Sequence, residues 1–219
     1  MNHNDHDHDH DHDHDHDHDH DHDHQDDDKV HAYYQILGQA LKELLIEKGV
    51  VSASEIRTAM ERRDTITPAN GAKVVARAWV DGDYRARLLH DANSAVAEFG
   101  IEMPTTHLVA LENTPAVHNV VVCTLCSCYP RDLLGLPPAW YKSKAYRSRV
   151  VHSPRAVLHE FGTDLPETIE VRVHDSTADM RYLVIPMRPE GTDGWDEDAL
   201  RTVITRDTMI GVSLVESAV

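Results

Sequence analysis

The order of patterns along the chain predicts an α+β fold, a helical first half followed by an α/β second half. Three observations carry this expectation. Apolar residues recur at helical spacing between capping signals from His31 to about Gly100. From Ile101 on, short runs rich in β-branched residues alternate with short helical patterns. All three cysteines lie within six residues, as Cys123-Thr124-Leu125-Cys126-Ser127-Cys128, directly after Val120-Val121-Val122. The expected division is a disordered His/Asp-rich tail over 1–29, a helical arm over 30–100 and an α/β domain bearing the cysteines over 101–219.

The tail alternates Asp and His from Asp5 to His24 and holds 11 of the 18 histidines and 13 acidic residues. It has no apolar residue after Met1 to offset the entropy of ordering it, so it is expected not to fold alone. Imidazoles alternating with carboxylates bind divalent metals and lose negative charge in mild acid, which makes a metal-gathering or pH-sensitive tail the functional reading. A solvated low-complexity extension is the plain one. Of the net charge of −17, the tail accounts for −13; the remaining 25 acids and 21 bases nearly balance. The body therefore gives no electrostatic case for nucleic-acid binding, which would want a basic face. The N-terminus has neither a basic n-region nor an apolar h-region, and no run approaches the length of a membrane span. The expected location is the cytoplasm.

The elements are justified in order. His31 to Lys48 sets Ile36, Leu37, Ala40, Leu41, Leu44 and Leu45 at helical spacing, with Gly49 as the stop. Ser52-Ala53-Ser54-Glu55 reads as a capping box opening a second helix toward Arg63. Thr67-Pro68 starts a third, with Val74, Val75, Ala78 and Trp79 on its apolar side. Asp81 caps a fourth that runs to Phe99-Gly100 with Leu88, Leu89 and Val96 inward. These stripes are expected to pack in the core, although an arm this long could also wrap a partner chain. Strands are expected at 107–111, 118–122, 168–173 and 181–185. Helices are expected over 145–151, from Ser153-Pro154 to Gly162, and over 196–204.

Cys-x-x-Cys alone would suit a thioredoxin-type redox pair, but Cys128 has no role in that scheme. A tetrahedral zinc site wants four ligands, and the fourth would have to be a distant residue such as His118. An iron–sulfur cluster needs another thiolate, which this chain lacks. A loop turning at Leu125 can instead aim three sulfurs at one point. The amides of Ser127 and Cys128 can join if the ion is trivalent and strongly Lewis acidic, leaving one position open for water or substrate.

The string Val122-Cys123-Thr124-Leu125-Cys126-Ser127-Cys128-Tyr129-Pro130 resembles the metal-binding claw of the nitrile hydratase α subunit. The likeness continues through Leu134-Gly135-Leu136-Pro137-Pro138, Tyr146-Arg147-Ser148-Arg149-Val150, Asp175-Ser176-Thr177 with Met180-Arg181-Tyr182, the run Arg188–Trp195 and the run Thr205–Gly211. It covers residues 30 to 213. The resemblance implies a four-layer α-β-β-α metal-binding domain after the helical arm. It implies Cys123 as axial thiolate, and Cys126 and Cys128 as equatorial sulfurs oxidised to sulfinate and sulfenate. Ser127 and Cys128 would add their amide nitrogens. Thr124 matches the cobalt-type members, so one non-corrin Co(III) per chain is the implied cofactor, with Fe(III) the alternative. The implied activity is that of a hydro-lyase acting on a nitrile to give the amide. The metal would polarise the nitrile, and either the Cys128 sulfenate oxygen or a water would attack. Arg181 matches a family arginine near the subunit interface, and is expected either to help fix the claw or to form a structural salt bridge at a strand start. A β subunit would supply arginines to the oxidised sulfurs, so the chain is expected to be inactive alone and to work as an αβ dimer or higher. An activator or metallochaperone is the further partner the family suggests.

One departure keeps a second function open. Many cobalt-type members have Trp after the Tyr-Pro pair, where this chain has Arg131-Asp132. A basic residue there resembles the γ subunit of thiocyanate hydrolase, which shares the cobalt claw and a His-Asp-rich N-terminus. Against it, the chain ends at Val219, as nitrile hydratase α chains do, and Leu108–Thr114 also resembles nitrile hydratase. A non-enzymatic cobalt carrier, with the tail for capture and the thiols for delivery, is the third reading.

Overall fold

The computed structural model of the chain describes residues 23–216, so the Asp-His repeat expected to be disordered lies almost wholly outside the described residues. They fall into two compact units, one running up to Ile56 and the other from Arg57 on.

In the first unit, α1 spans Asp23–Glu47 and starts earlier than the expected His31. Acidic residues favour a helix N-terminus, so Asp26, Asp27 and Asp28 are compatible with the early start. Gly49, at φ 66°, ends it: its N–H donates to the Ile46 carbonyl and that of Val50 to the Leu45 carbonyl. The stripe expected to pack in the core does not. Ile36, Leu37, Leu41 and Leu44 are 45–71% exposed. Helical spacing reports that a face is apolar, not that this chain covers it. Helix α2, Ala53–Asp64, opens with the expected capping box: the Glu55 N–H donates to Ser52 Oγ at 3.1 Å, and the Ser52 N–H donates to Glu55 Oε2 at 2.7 Å.

The second unit is built around α3, Pro68–Val80, whose Gly71, Ala72, Val74, Val75, Ala76 and Ala78 are buried. Pro68 takes the first turn as expected, but the Thr67 side chain makes no capping bond. A β-carbon at Gly71 would collide with Leu134 and would meet Met209 Sδ at 2.7 Å, so the helix can pack this closely only through glycine. The expected fourth helix is two: α4, Gly82–His90, and α5, Ala92–Ala97. Asp81 caps α4 by accepting from the Tyr84 N–H at 2.9 Å. Asp91 leaves the helix at φ −145° and caps α5 by accepting from the Ser94 N–H. A short side-chain acceptor competes with the helical ladder, which is why the chain breaks there. The break leaves Leu89 at 40% exposure rather than inward, while Leu88 and Val96 are fully buried.

Four strands follow the expected order: β1, His107–Glu112; β2, Val117–Val122; β3, Glu170–Asp175; and β4, Met180–Ile185. They form two separate parallel pairs, β1 with β4 and β2 with β3. β3 begins and ends two residues later than the expected 168–173. Its register sets Asp175 opposite Val122 and His174 opposite Val121. Between β2 and β3 the chain forms α6, Arg131–Leu134; α7, Ala139–Lys142; α8, Lys144–His152; and α9, Pro154–Glu160. After β4 come α10, Glu197–Arg201, shorter than the expected 196–204, and α11, Arg206–Ile210. α6, α7 and α11 were not expected.

α11 ends at Gly211, at φ 84°, where a β-carbon would strike the Asn119 carbonyl of β2. His118 Nε2 meets the Gly211 carbonyl at 2.7 Å, and His118 Nδ1 lies 3.2 Å from the Asn113 amide nitrogen. The carbonyl needs a donor and the amide is one, so the proton sits on Nε2. The β2 centre is thereby pinned on both sides, with Val120, Val121 and Val122 fully buried. No described helix is long and apolar enough to cross a membrane.

Candidate metal centre

β2 ends in the fully buried run Val120-Val121-Val122, and the next residue is Cys123, which is 1% exposed. The chain then turns outward through Thr124 and Leu125, the latter 89% exposed. It returns through Cys126, which is exposed, and Cys128, which is half-buried. The Cys126 N–H donates to Cys123 Sγ at 3.3 Å. Cys123 and Cys126 sulfurs lie 3.4 Å apart, and those of Cys126 and Cys128 3.2 Å apart. All three fall within 4.8 Å of one another, and no described His, Asp or Glu joins them. His118, the candidate fourth zinc ligand, is committed to Gly211 and Asn113 instead.

The thiols perturb one another. Hydrogen bonds from Cys128 and Cys123, with smaller help from the backbone N–H groups of Cys128 and Ser127, pull the Cys126 thiol below its ordinary range. Burial, reinforced by the same sulfur contacts, pushes Cys128 up to about 12. A cation held by the three sulfurs would favour their thiolate forms. Three soft sulfurs in contact, with Ser127 and Cys128 amides beside Cys126, fit a thiolate-bound transition metal.

Several side chains hold the loop. Asp175 Oδ1 accepts from the Thr124 N–H at 2.9 Å and Oδ2 from the Thr124 hydroxyl at 2.5 Å. Arg147 Nη1 donates to the Thr124 carbonyl at 3.3 Å. The Tyr141 hydroxyl donates to the Cys128 carbonyl at 2.7 Å. Arg181 Nε donates to the Tyr129 carbonyl at 3.2 Å, while Nη1 bonds the Thr177, Ala178 and Met180 carbonyls. Tyr129 is buried beneath the loop, its ring edge-on to Tyr141 at 5.1 Å. Asp175, Arg147 and Tyr141 carried no role in the sequence reading. Asp175 and Arg147 fall in the likeness segments; Tyr141 falls between them and carried no signal.

A cleft of about 220 Å³ opens at Cys126, Ser127 and Cys128, and Arg63, Arg131, Asp132 and Arg181 line it. The geometry thus brings together Cys123, Cys126, Ser127 and Cys128, with Arg181 holding the chain just beyond them. Arg63, on α2, is an unexpected member of the lining.

The profile of the family described as "Nitrile hydratase, alpha chain" matches residues 32–213. The high-molecular-weight cobalt-containing nitrile hydratase α subunit of Rhodococcus rhodochrous is 50% identical over 183 residues, covering 82% of this chain and 90% of that one. The thiocyanate hydrolase γ subunit of Thiobacillus thioparus is 45% identical over 193 residues, covering 83% and 79%. Among solved structures, a recombinant thiocyanate hydrolase with partially modified cobalt centres superposes with a TM-score of 0.80 at 42% identity, covering 85% of this chain and 91% of that one. A double mutant of the Fe-type nitrile hydratase of Comamonas testosteroni gives 0.79 at 43% identity, covering 86% and 94%. With a claw of three sulfurs and a match over nearly all the described residues, this chain belongs to the nitrile hydratase α-chain family.

Proposed function

We propose that the chain is the α subunit of a cobalt nitrile hydratase, hydrating a nitrile to the amide together with a β subunit. The observation that carries this is the sulfur cluster: three thiols within 4.8 Å at the end of a buried strand, in a chain half identical to a cobalt-containing relative. Cobalt held there, as Co(III), supplies Lewis acidity toward the nitrile. Cys123 anchors the site from the buried side, and Cys126 and Cys128 face the cleft. The amides of Ser127 and Cys128 complete the donor set. Cys126 and Cys128 are the thiols open to oxidation by dioxygen, to sulfinic and sulfenic acid respectively, because accessible sulfurs held as thiolates are the ones that climb that ladder. Either a cleft water would attack the nitrile carbon, or the Cys128 sulfenate oxygen would, with water then restoring the oxygen to sulfur. Arg181 and Tyr141 orient the backbone on which Cys128 sits. The uncovered apolar face of α1 is offered to the β subunit. The two parallel strand pairs with their flanking helices support an α-β-β-α layering.

Arg131 supports thiocyanate as a second substrate reading, since it lines the cleft and a thiocyanate hydrolase γ subunit is a relative. Co-expression with the β partner in cobalt medium, followed by assay against a nitrile panel and thiocyanate, decides between them. Amide formation without thiocyanate turnover is expected; the reverse would replace the first reading with the second. A protein that binds cobalt reversibly and hydrates nothing would be a carrier. Mass spectrometry showing unoxidised Cys126 and Cys128 in active enzyme would sink the oxidation scheme.

A further inference from the structure

The loop is held unequally. Its tip is free, with Leu125 almost fully exposed, yet Thr124 has every polar group occupied. The carboxylate of Asp175 takes both donors of Thr124, and Arg147 takes its carbonyl. Asp175 can do this because parallel pairing ends β2 and β3 together, Val122 opposite Asp175, so the carboxylate stands beside the first residue after Cys123. The next residue repeats the attachment: the Ser176 N–H donates to the Val122 carbonyl at 2.7 Å.

We infer that Asp175 is a positioning residue of the metal centre, which fixes the Cys123–Thr124 half of the claw before any metal arrives. A side-chain carboxylate holding one residue by its amide and its hydroxyl removes the backbone freedom of that residue from the loop. The Cys123 sulfur is then presented in one direction, and the metal orders only the tip. This also assigns a role to the Thr124 hydroxyl, which touches no sulfur: it is the second tooth of the clamp. The inference rests on the sulfur cluster being the metal site, but its first test does not.

That test is hydrogen exchange on the metal-free full-length chain. In Asp175→Asn and in Thr124→Val, protection of the Thr124–Cys126 amides should fall by about tenfold, the scale of losing a charge-assisted hydrogen bond. The β2 and β3 amides should keep theirs. Thr124→Ser, which retains both donors, should behave as the unsubstituted chain. The double variant should lose no more than Asp175→Asn alone, because Thr124→Val removes only the hydroxyl half of the contact that Asp175→Asn weakens. On cobalt-loaded αβ complex, release of cobalt to a chelator should accelerate in the same variants by a similar factor, with Thr124→Ser again unchanged. Protection lost evenly across β2 and β3 would make Asp175 a general strand staple and overturn the inference. So would unchanged protection at Thr124, or a Thr124→Ser variant as loose as Thr124→Val. Thr124 and Asp175 are both exposed, so these substitutions leave the core intact. If the variants loosen the loop but the chain never retains cobalt, the clamp stands and the metal assignment fails.

Discussion

Tyr141→Phe removes one oxygen from beneath the claw and nothing else. The Tyr141 ring is fully buried and packs edge-on against Tyr129 at 5.1 Å and Trp140 at 5.8 Å, contacts that phenylalanine retains. Burial raises the phenol's pKa, so the hydroxyl stays protonated and acts as the donor to the Cys128 carbonyl at 2.7 Å. A neutral hydrogen bond of this kind contributes about 1 kcal/mol net. Cys128 is half-buried, so its orphaned carbonyl can recover part of that loss by turning to water. The expected destabilisation is therefore about 0.5–1.5 kcal/mol in urea unfolding of the metal-free chain, with unchanged m-value. If the bond also orients Cys128 for the metal, the same free energy caps the loss of cobalt retention at about tenfold. Retention is read from release to a chelator in the αβ complex. A loss beyond about a hundredfold would exceed what one hydrogen bond supplies and would refute the role assigned to Tyr141 as a support. Unchanged stability and unchanged retention together would show that the bond does not hold the claw.

Three other outcomes are expected. Burial lowers the pKa of His118 and His174 below the ordinary 6.5. The unfolded chain therefore takes up protons that the folded chain refuses; stability is complete above about pH 6.5 and falls as pH drops below it. Urea midpoints across that range should show this, with a shallower fall in His118→Gln. Gly211→Ala forces a left-handed alanine against the Asn119 carbonyl and should cost more than about 2 kcal/mol of stability by denaturation. Arg131→Leu should weaken nitrile turnover and thiocyanate inhibition by the same factor, within about threefold, in paired kinetics on the αβ complex; selective loss of thiocyanate binding would favour thiocyanate as the substrate.

What was legible in the sequence was local. The Ser52–Glu55 box, the Asp81 cap and the three cysteines each act within a few residues, and each stands where its spacing placed it. The helix break at Asp91 was also local, but the apolar pattern ran across it and outweighed a single capping residue. The shift of β3 has a different cause. Thr168 and Ile169 carry strand propensity, yet pairing with β2 decides where the strand runs, and parallel pairing joins segments far apart in sequence. The same distance hid Asp175 from Thr124 and Arg181 from Tyr129. The α1 stripe shows the remaining gap: periodicity reports an apolar face, and says nothing of whether the rest of the chain covers it.

The arginines in the cleft bear on the substrate through charge. On the proposed donor set, one thiolate, one sulfinate and one sulfenate, each singly negative, neutralise a trivalent cation, and two deprotonated amides leave the centre doubly negative. Arg63, Arg131 and Arg181 against Asp132 place a net two positive charges on the lining of the same cleft. Counting this chain's own residues alone, these charges suffice to neutralise the claw and leave none over for an anionic substrate. Neutralising the centre serves the chemistry directly, because a neutral nitrile has no charge of its own to draw it in and an uncompensated anionic claw would be costly to close off from water. A cleft built to collect thiocyanate needs surplus positive charge, and adding Arg131 alone does not provide it. On the proposed nitrile reading, the arginine that first pointed to a second substrate is accounted for as a counter-ion to the sulfurs.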